Sequence, residues 1–144
     1  MSATSWTDHV HVVLARAGLK RGGARDQVIE LLASQPCALT AVEIEHALRT
    51  RGRAPGRASI YRVLDLLVDY DLVERVELGD GQARFEPVHP SGVHHHHHLC
   101  EQCGQVMAFD DPGLERAIDT LSRRLRVHVT GHEVLLRGVC SRCA

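Results

Sequence analysis

Between His94 and Gly104 the sequence reads HHHHHLCEQCG, and a second Cys-x-x-Cys, Cys140 with Cys143, follows the first after 36 residues. Cys100, Cys103, Cys140 and Cys143 supply four thiolates, the complement of a closed tetrahedral zinc site. The i,i+3 spacing lets both sulfurs of a pair face one ion while backbone N–H groups turn toward them. Gly104 permits the tight turn after the first pair. Disulfides or a thioredoxin-like redox pair are the rival uses, and a reducing compartment argues against both. Cys37 lies outside this set and reads as a buried or incidental thiol.

The five histidines add nitrogen donors. The run is internal and abuts the cysteine knuckle, unlike a terminal tag. On a strand, alternate side chains point to opposite faces, so His95 and His97 share one face and His94, His96 and His98 the other. That alternation makes two metal sites back to back, each needing remote residues to complete it. His132, Glu115, Glu86, His89 and Glu74 are the available donors, and spacing alone does not assign them.

The remaining chain must position these groups. At 144 residues with a net charge of −1, it suits one large domain or two small ones that need a metal or a partner subunit for stability. No apolar run approaches the roughly 20 residues of a membrane span. The N-terminus lacks the basic-then-apolar pattern of a signal peptide, so a cytoplasmic protein is expected. Charge is uneven: from Lys20 to Arg62 eight Lys or Arg stand against four acids, a possible phosphate-facing surface. Arg53 is one of the eight.

Taken in order, apolar spacing predicts helices from Thr7 to Ala17 and from Arg25 to Ala33, the second ended near Ser34-Gln35-Pro36. Thr40 with Glu43 forms a capping-box pattern that opens a third helix, stopped at Gly52. After the basic turn of residues 53–57, Ala58 to Tyr70 is a strongly apolar helix. Leu72 to Leu78 alternates as a strand, Gly79-Asp80-Gly81 turns, and Gln82 to Glu86 returns. Helix, turn, basic helix and ribbon is the order of a winged helix-turn-helix, whose second helix enters the major groove. Arg57, Ser59, Tyr61 and Arg62 are the expected DNA contacts, as polar groups on the non-core face near that helix's start.

The predicted domains are a winged helix over 1–86, a hinge linker over 87–93, and a metal-binding unit over 94–144. In the last, His94–Glu101 and Gln105–Asp110 read as strands, Asp111-Pro112 opens a helix to about Leu125, and Glu133–Val139 is the final strand. The expected fold class is therefore α+β, with a small three-stranded α/β dimerisation domain. Roughly 50 residues form a unit small enough to call for dimerisation plus a metal staple.

Ala58-Ser59-Ile60-Tyr61-Arg62-Val63-Leu64, Arg84-Phe85-Glu86, the histidine run and the two Cys-x-x-Cys pairs together resemble the Fur (ferric uptake regulator) family of metal-dependent repressors, over nearly the whole chain. The resemblance implies structural zinc on the four cysteines and a regulatory hinge site using His95, His97 and Glu86. It implies an additional site of His94, His96, Glu115 and His132. Within the family the chain is most similar to zinc-uptake regulators, in which an acid at the start of the wing also ligates; Glu74 occupies that place. Their cysteine ahead of the histidines has no match, and His89 is the nearest substitute.

Two departures bear on the metal. Ala108 stands where iron- and peroxide-sensing members carry an acid, and the Cys37-Ala38 position lacks their N-terminal histidine. About four histidine-rich ligands suit tetrahedral zinc better than octahedral Fe(II) or Mn(II). The expected function is a metal-loaded homodimer that binds a pseudo-palindromic operator in double-stranded DNA and represses metal-uptake genes, with zinc as effector. Iron, manganese, nickel or peroxide sensing within the family is the alternative. For a zinc hydrolase the chain shows no HExxH motif or nucleophile constellation, and a storage protein leaves the winged helix without purpose. No enzyme activity, small-molecule substrate or membrane partner is expected.

Overall fold

In the computed structural model, residues 4–35, 37–52, 54–92 and 94–144 are described. Pro36 at the predicted helix end and Arg53 of the basic turn lie outside these residues. The chain divides into two compact units, residues 1–93 and 94–144.

The first unit opens with α1 (Trp6–Arg16), capped by Ser5 accepting from the Asp8 N–H. Next come α2 (Gly23–Ser34), the two-residue β1 (Leu39–Thr40) and α3 (Ala41–Thr50). Thr40 and Glu43 form the capping box expected from the sequence, each side chain bonded to the other's backbone N–H. This closes two of the N–H groups that a helix start leaves unpaired. After α4 (Arg57–Asp69), Asp71 turns the chain with a φ of 55° into β2 (Val73–Glu77), and β3 (Ala83–Pro87) returns. The sheet order is β1-β3-β2, all antiparallel, with Leu39 opposite Phe85 and Glu74 opposite Glu86.

Seventeen buried apolar residues fill this unit's core, from Trp6 and Val10 on α1 through Ile29, Ile44, Ile60 and Leu64 to Phe85 on β3. Trp6 also donates its indole N–H to the Leu72 carbonyl at 2.8 Å, tying α1 to the start of β2. The wing turn is anchored on a buried cation. Arg84 makes two bonds to the Asp80 carboxylate, at 3.1 and 2.8 Å. That pairing holds the Asp80 carboxyl below its ordinary range.

The second unit is a three-stranded sheet in the order β5-β4-β6, from β4 (His96–Cys100), β5 (Val106–Phe109) and β6 (Leu135–Gly138). β4 is central, antiparallel to β5 and parallel to β6. α5 (Pro112–Leu125) is capped by Asp111, which accepts from the Leu114 N–H at 2.9 Å. No residue of α5 is buried. None of the helices is long and apolar enough to cross a membrane among the described residues.

Candidate metal centres and nucleic-acid interface

The four-cysteine group grows out of the ends of β4 and β6. Cys100 closes β4, the chain turns through Cys103, and Gly104, at a φ of 74°, bonds its N–H back to the Cys100 carbonyl at 2.8 Å. The second knuckle repeats the device, with the Ala144 N–H bonded to the Cys140 carbonyl at 2.9 Å. Parallel pairing sets Cys100 against Gly138, so the two knuckles arrive side by side. All four sulfurs lie within 4.8 Å of one another, and Cys103 Sγ and Cys140 Sγ are 3.8 Å apart. A tetrahedron with zinc–sulfur bonds near 2.3 Å places sulfurs roughly 3.8 Å apart.

The electrostatics fit a bound dication. The Cys100 sulfur accepts backbone N–H bonds from Cys140 at 3.3 Å and Cys103 at 3.4 Å, which lower its pKa to about 6 despite burial. Cys140 is pushed up by burial, yet N–H bonds from Arg142 and Cys143 outweigh this and hold it below its ordinary value. Cys143, beside the Cys140 and Cys103 sulfurs, is pushed up to about 12. Cys143 thus resists ionising beside the other sulfurs unless a cation balances them, which is what a coordinated metal does.

A second group lies elsewhere in the same unit. His96 is fully buried on β4, and its Nε2 lies 2.6 Å from Glu115 Oε1. His132 Nε2 is 2.7 Å from Glu115 Oε2 and 3.3 Å from His94 Nε2. Glu115 comes from the first turn of α5, which the Asp111 cap and Pro112 fix in place. The bond from His96 leads the effects that hold the Glu115 carboxyl below its ordinary range. Three imidazole nitrogens and one carboxylate, all within 4.8 Å, form an N3O set suited to tetrahedral zinc. The His96 Nδ1 is buried without a hydrogen-bond partner among the described residues.

Strand parity holds along the histidine run: the rings of His94 and His96 lie 5.2 Å apart, and those of His95 and His97 5.0 Å. In the first unit, Glu86 is buried on β3 and Glu74 faces it from β2, exposed. His89 is exposed in the turn after β3, its Nδ1 3.4 Å from Ser91 Oγ. Cys37, given no role by the sequence, brings its sulfur within 4.8 Å of a Glu86 carboxylate oxygen. The signal for this was the β1–β3 pairing, which sequence reasoning did not find.

The helix expected from the sequence to meet DNA, α4, starts after its N-cap Gly56, which offers no side-chain cap. Tyr61 is 44% exposed, and Arg62 is exposed with its Nη2 3.1 Å from Ser59 Oγ. Ser59 and Arg62 also line an open cavity of about 400 Å³ with Gly22 and Arg25. Arg57 is exposed but engaged, donating its Nε to Glu45 at 2.7 Å.

A ferric uptake regulator family model matches residues 16–137. The chain belongs to that family. A ferric uptake regulation protein of Vibrio anguillarum is 34% identical over 130 residues, covering 89% of this chain and 85% of its own. The Vibrio cholerae ferric uptake regulator structure shares 32% identity with a TM-score of 0.76, covering 91% of this chain and 99% of its own. The Helicobacter pylori ferric uptake regulator, at 23% identity, covers 99% of this chain and 97% of its own; its TM-score of 0.81 is a likeness of fold. As a ferric uptake regulator family protein, the chain is a metal-responsive, DNA-binding transcriptional regulator and not an enzyme. The four-cysteine group suits structural zinc, and the histidine–glutamate group a second metal.

Proposed function

We propose that this regulator is a zinc-responsive repressor of metal-uptake genes. In this reading it acts as a homodimer, and its metal-loaded form binds a pseudo-palindromic operator. The observation that carries zinc is the Cys37 thiol within 4.8 Å of the buried Glu86 carboxylate. A regulatory site drawing on His95, His97, Glu86 and Cys37, with Glu74 beside it, mixes thiolate, imidazole and carboxylate donors. Such a set favours tetrahedral zinc over octahedral, oxygen-rich Fe(II) or Mn(II) sites. Cys37 joins His89, the substitute expected from the sequence, in the proposed set. The His94, His96, Glu115 and His132 group is the additional site.

Metal occupancy at the hinge would fix two winged helices at the spacing of successive major grooves. A coupling of about 1–3 kcal/mol per site is enough for such control. Exposed Met107, Leu121, Leu125, Leu136 and Val139 of the second unit supply the apolar face for the dimer. The iron reading is supported by the names of the relatives, ferric uptake regulation proteins, among them the 34% identical Vibrio one.

Cobalt separates the two. With zinc held in the four-cysteine site, a further equivalent of Co(II) should give a near-ultraviolet thiolate-to-metal band that Cys37→Ser removes. Replacing His95 and His97 by Ala should abolish metal-dependent DNA binding while leaving the dimer intact. A second cobalt site that is octahedral in the visible spectrum and shows no thiolate band would overturn the zinc assignment.

A further inference from the structure

Glu45 sits on α3 with its side chain only 11% exposed, and each carboxylate oxygen accepts from a different arginine. Oε1 takes Arg49 Nη2 at 2.7 Å, and Oε2 takes Arg57 Nε at 2.7 Å. Arg49 lies in the last turn of α3 and Arg57 begins α4, so one carboxylate holds a guanidinium from each side of the turn. Both arginine side chains stay largely open, at 66% and 59% exposure. Arg57 is bound through its Nε, which leaves both terminal nitrogens for another partner. Arg49 likewise keeps donors beyond Nη2.

Ile44 and Leu48 of α3 and Ile60 and Leu64 of α4 belong to the core that already joins the two helices. With both guanidinium groups open to solvent, the ion pairs add little to such a junction. What the cluster does supply is a fixed pair of forked donors with one surplus positive charge, a shape complementary to a phosphate's oxygens. The uncapped first turn of α4 at Gly56 adds backbone N–H groups of the same polarity alongside.

We propose that Arg49 and Arg57 together grip one backbone phosphate of duplex DNA, with Glu45 as the positioning residue that sets their spacing. Arg57 then fixes the register of α4 on the duplex, while the reading of bases falls to other residues of that helix. The proposal rests on the chain's DNA binding and adds the chemistry of one contact.

The test uses metal-loaded protein with two probes: a mixed-sequence duplex and a duplex selected from a randomised library. Each affinity is measured against KCl concentration. Arg57→Ala and Arg49→Ala should each weaken both probes by the same factor, on the order of tenfold, and lower the salt slope by roughly one. The sequence preference recovered by selection should not change. Because both groups share one phosphate, the double variant should fall short of the product of the two losses. In a Glu45→Gln background the two losses should multiply instead, which a purely structural role for Glu45 would not produce. Arg57→Lys keeps the charge, so it should keep the salt slope and lose the coupling to Arg49, even if the alanine variant folds poorly. Arg57→Ala that flattens one position of the selected sequence while sparing the mixed duplex would overturn the proposal. So would unchanged affinity for both probes. Failure of the unaltered protein to bind either duplex would instead overturn the DNA-binding reading beneath it.

Discussion

The two units solve the same stability problem differently. The first buries seventeen apolar side chains drawn from all four helices and the wing sheet. In the second, the buried residues among those described are Leu99, Cys100, His96 and His97, two of them histidines. Its helix α5 buries nothing, and Leu121 and Leu125 on that helix are exposed, Leu125 by 59%. A unit of this size without an apolar core needs a staple or a partner. The four-cysteine group is the staple, and the exposed leucines call for the partner. One half thus packs around an apolar core, while the other has in its place a group of residues suited to a metal.

The largest effect should come from the staple. Cys100→Ser, or removal of zinc by a chelator, withdraws a contribution on the order of 10 kcal/mol from the second unit. Hydrogen exchange should show residues 94–144 losing protection while the α2 and α4 amides keep theirs. Joint collapse of both units would mean that the division of labour is wrong. Leu67→Ala is the converse change. Leu67 is fully buried, and its truncation should cost the first unit about 2–5 kcal/mol in a denaturant melt, with zinc content unchanged.

Leu125→Glu places a charge on the exposed apolar face. It should convert the dimer to a monomer in sedimentation, removing burial worth about 1.5–3 kcal/mol per leucine, without lowering the melting of the first unit. A dimer that survives would place the interface elsewhere.

The smallest effect concerns the wing. Asp80 has its pKa lowered from 3.8 chiefly by the Arg84 hydrogen bond. A carboxyl depressed on folding contributes stability that is complete above the unfolded value and fades as pH falls through the folded one. The stability difference between the native chain and Asp80→Asn should therefore be flat above about pH 5 and shrink below 3.8.

What was legible in the sequence follows from how local each signal is. The Thr40–Glu43 capping box spans three residues, and its bonds stand as expected. The parity of the histidines is a property of one strand, so their rings pair as alternation requires. The cysteine knuckles are likewise local, and a parallel strand pair brings them together. Strand β1 was not legible. Two residues carry no periodicity, and their partner Phe85 lies far along the chain. With β1 unseen, Cys37 had no neighbour and was left without a role. The Glu45 cluster was missed for a similar reason, since its members sit on different helices and only the packing of α3 on α4 joins them. Arg57 was therefore read as one of four equal DNA contacts.

Binding of duplex DNA to the purified protein, stripped of regulatory metal and then titrated separately with zinc, iron and manganese, tests the central claim most directly. The four-cysteine site is kept filled throughout. The account predicts weak binding in the stripped protein, and tight, saturable binding restored by zinc at lower free concentration than by iron or manganese. DNA binding of equal strength before and after metal addition would contradict it.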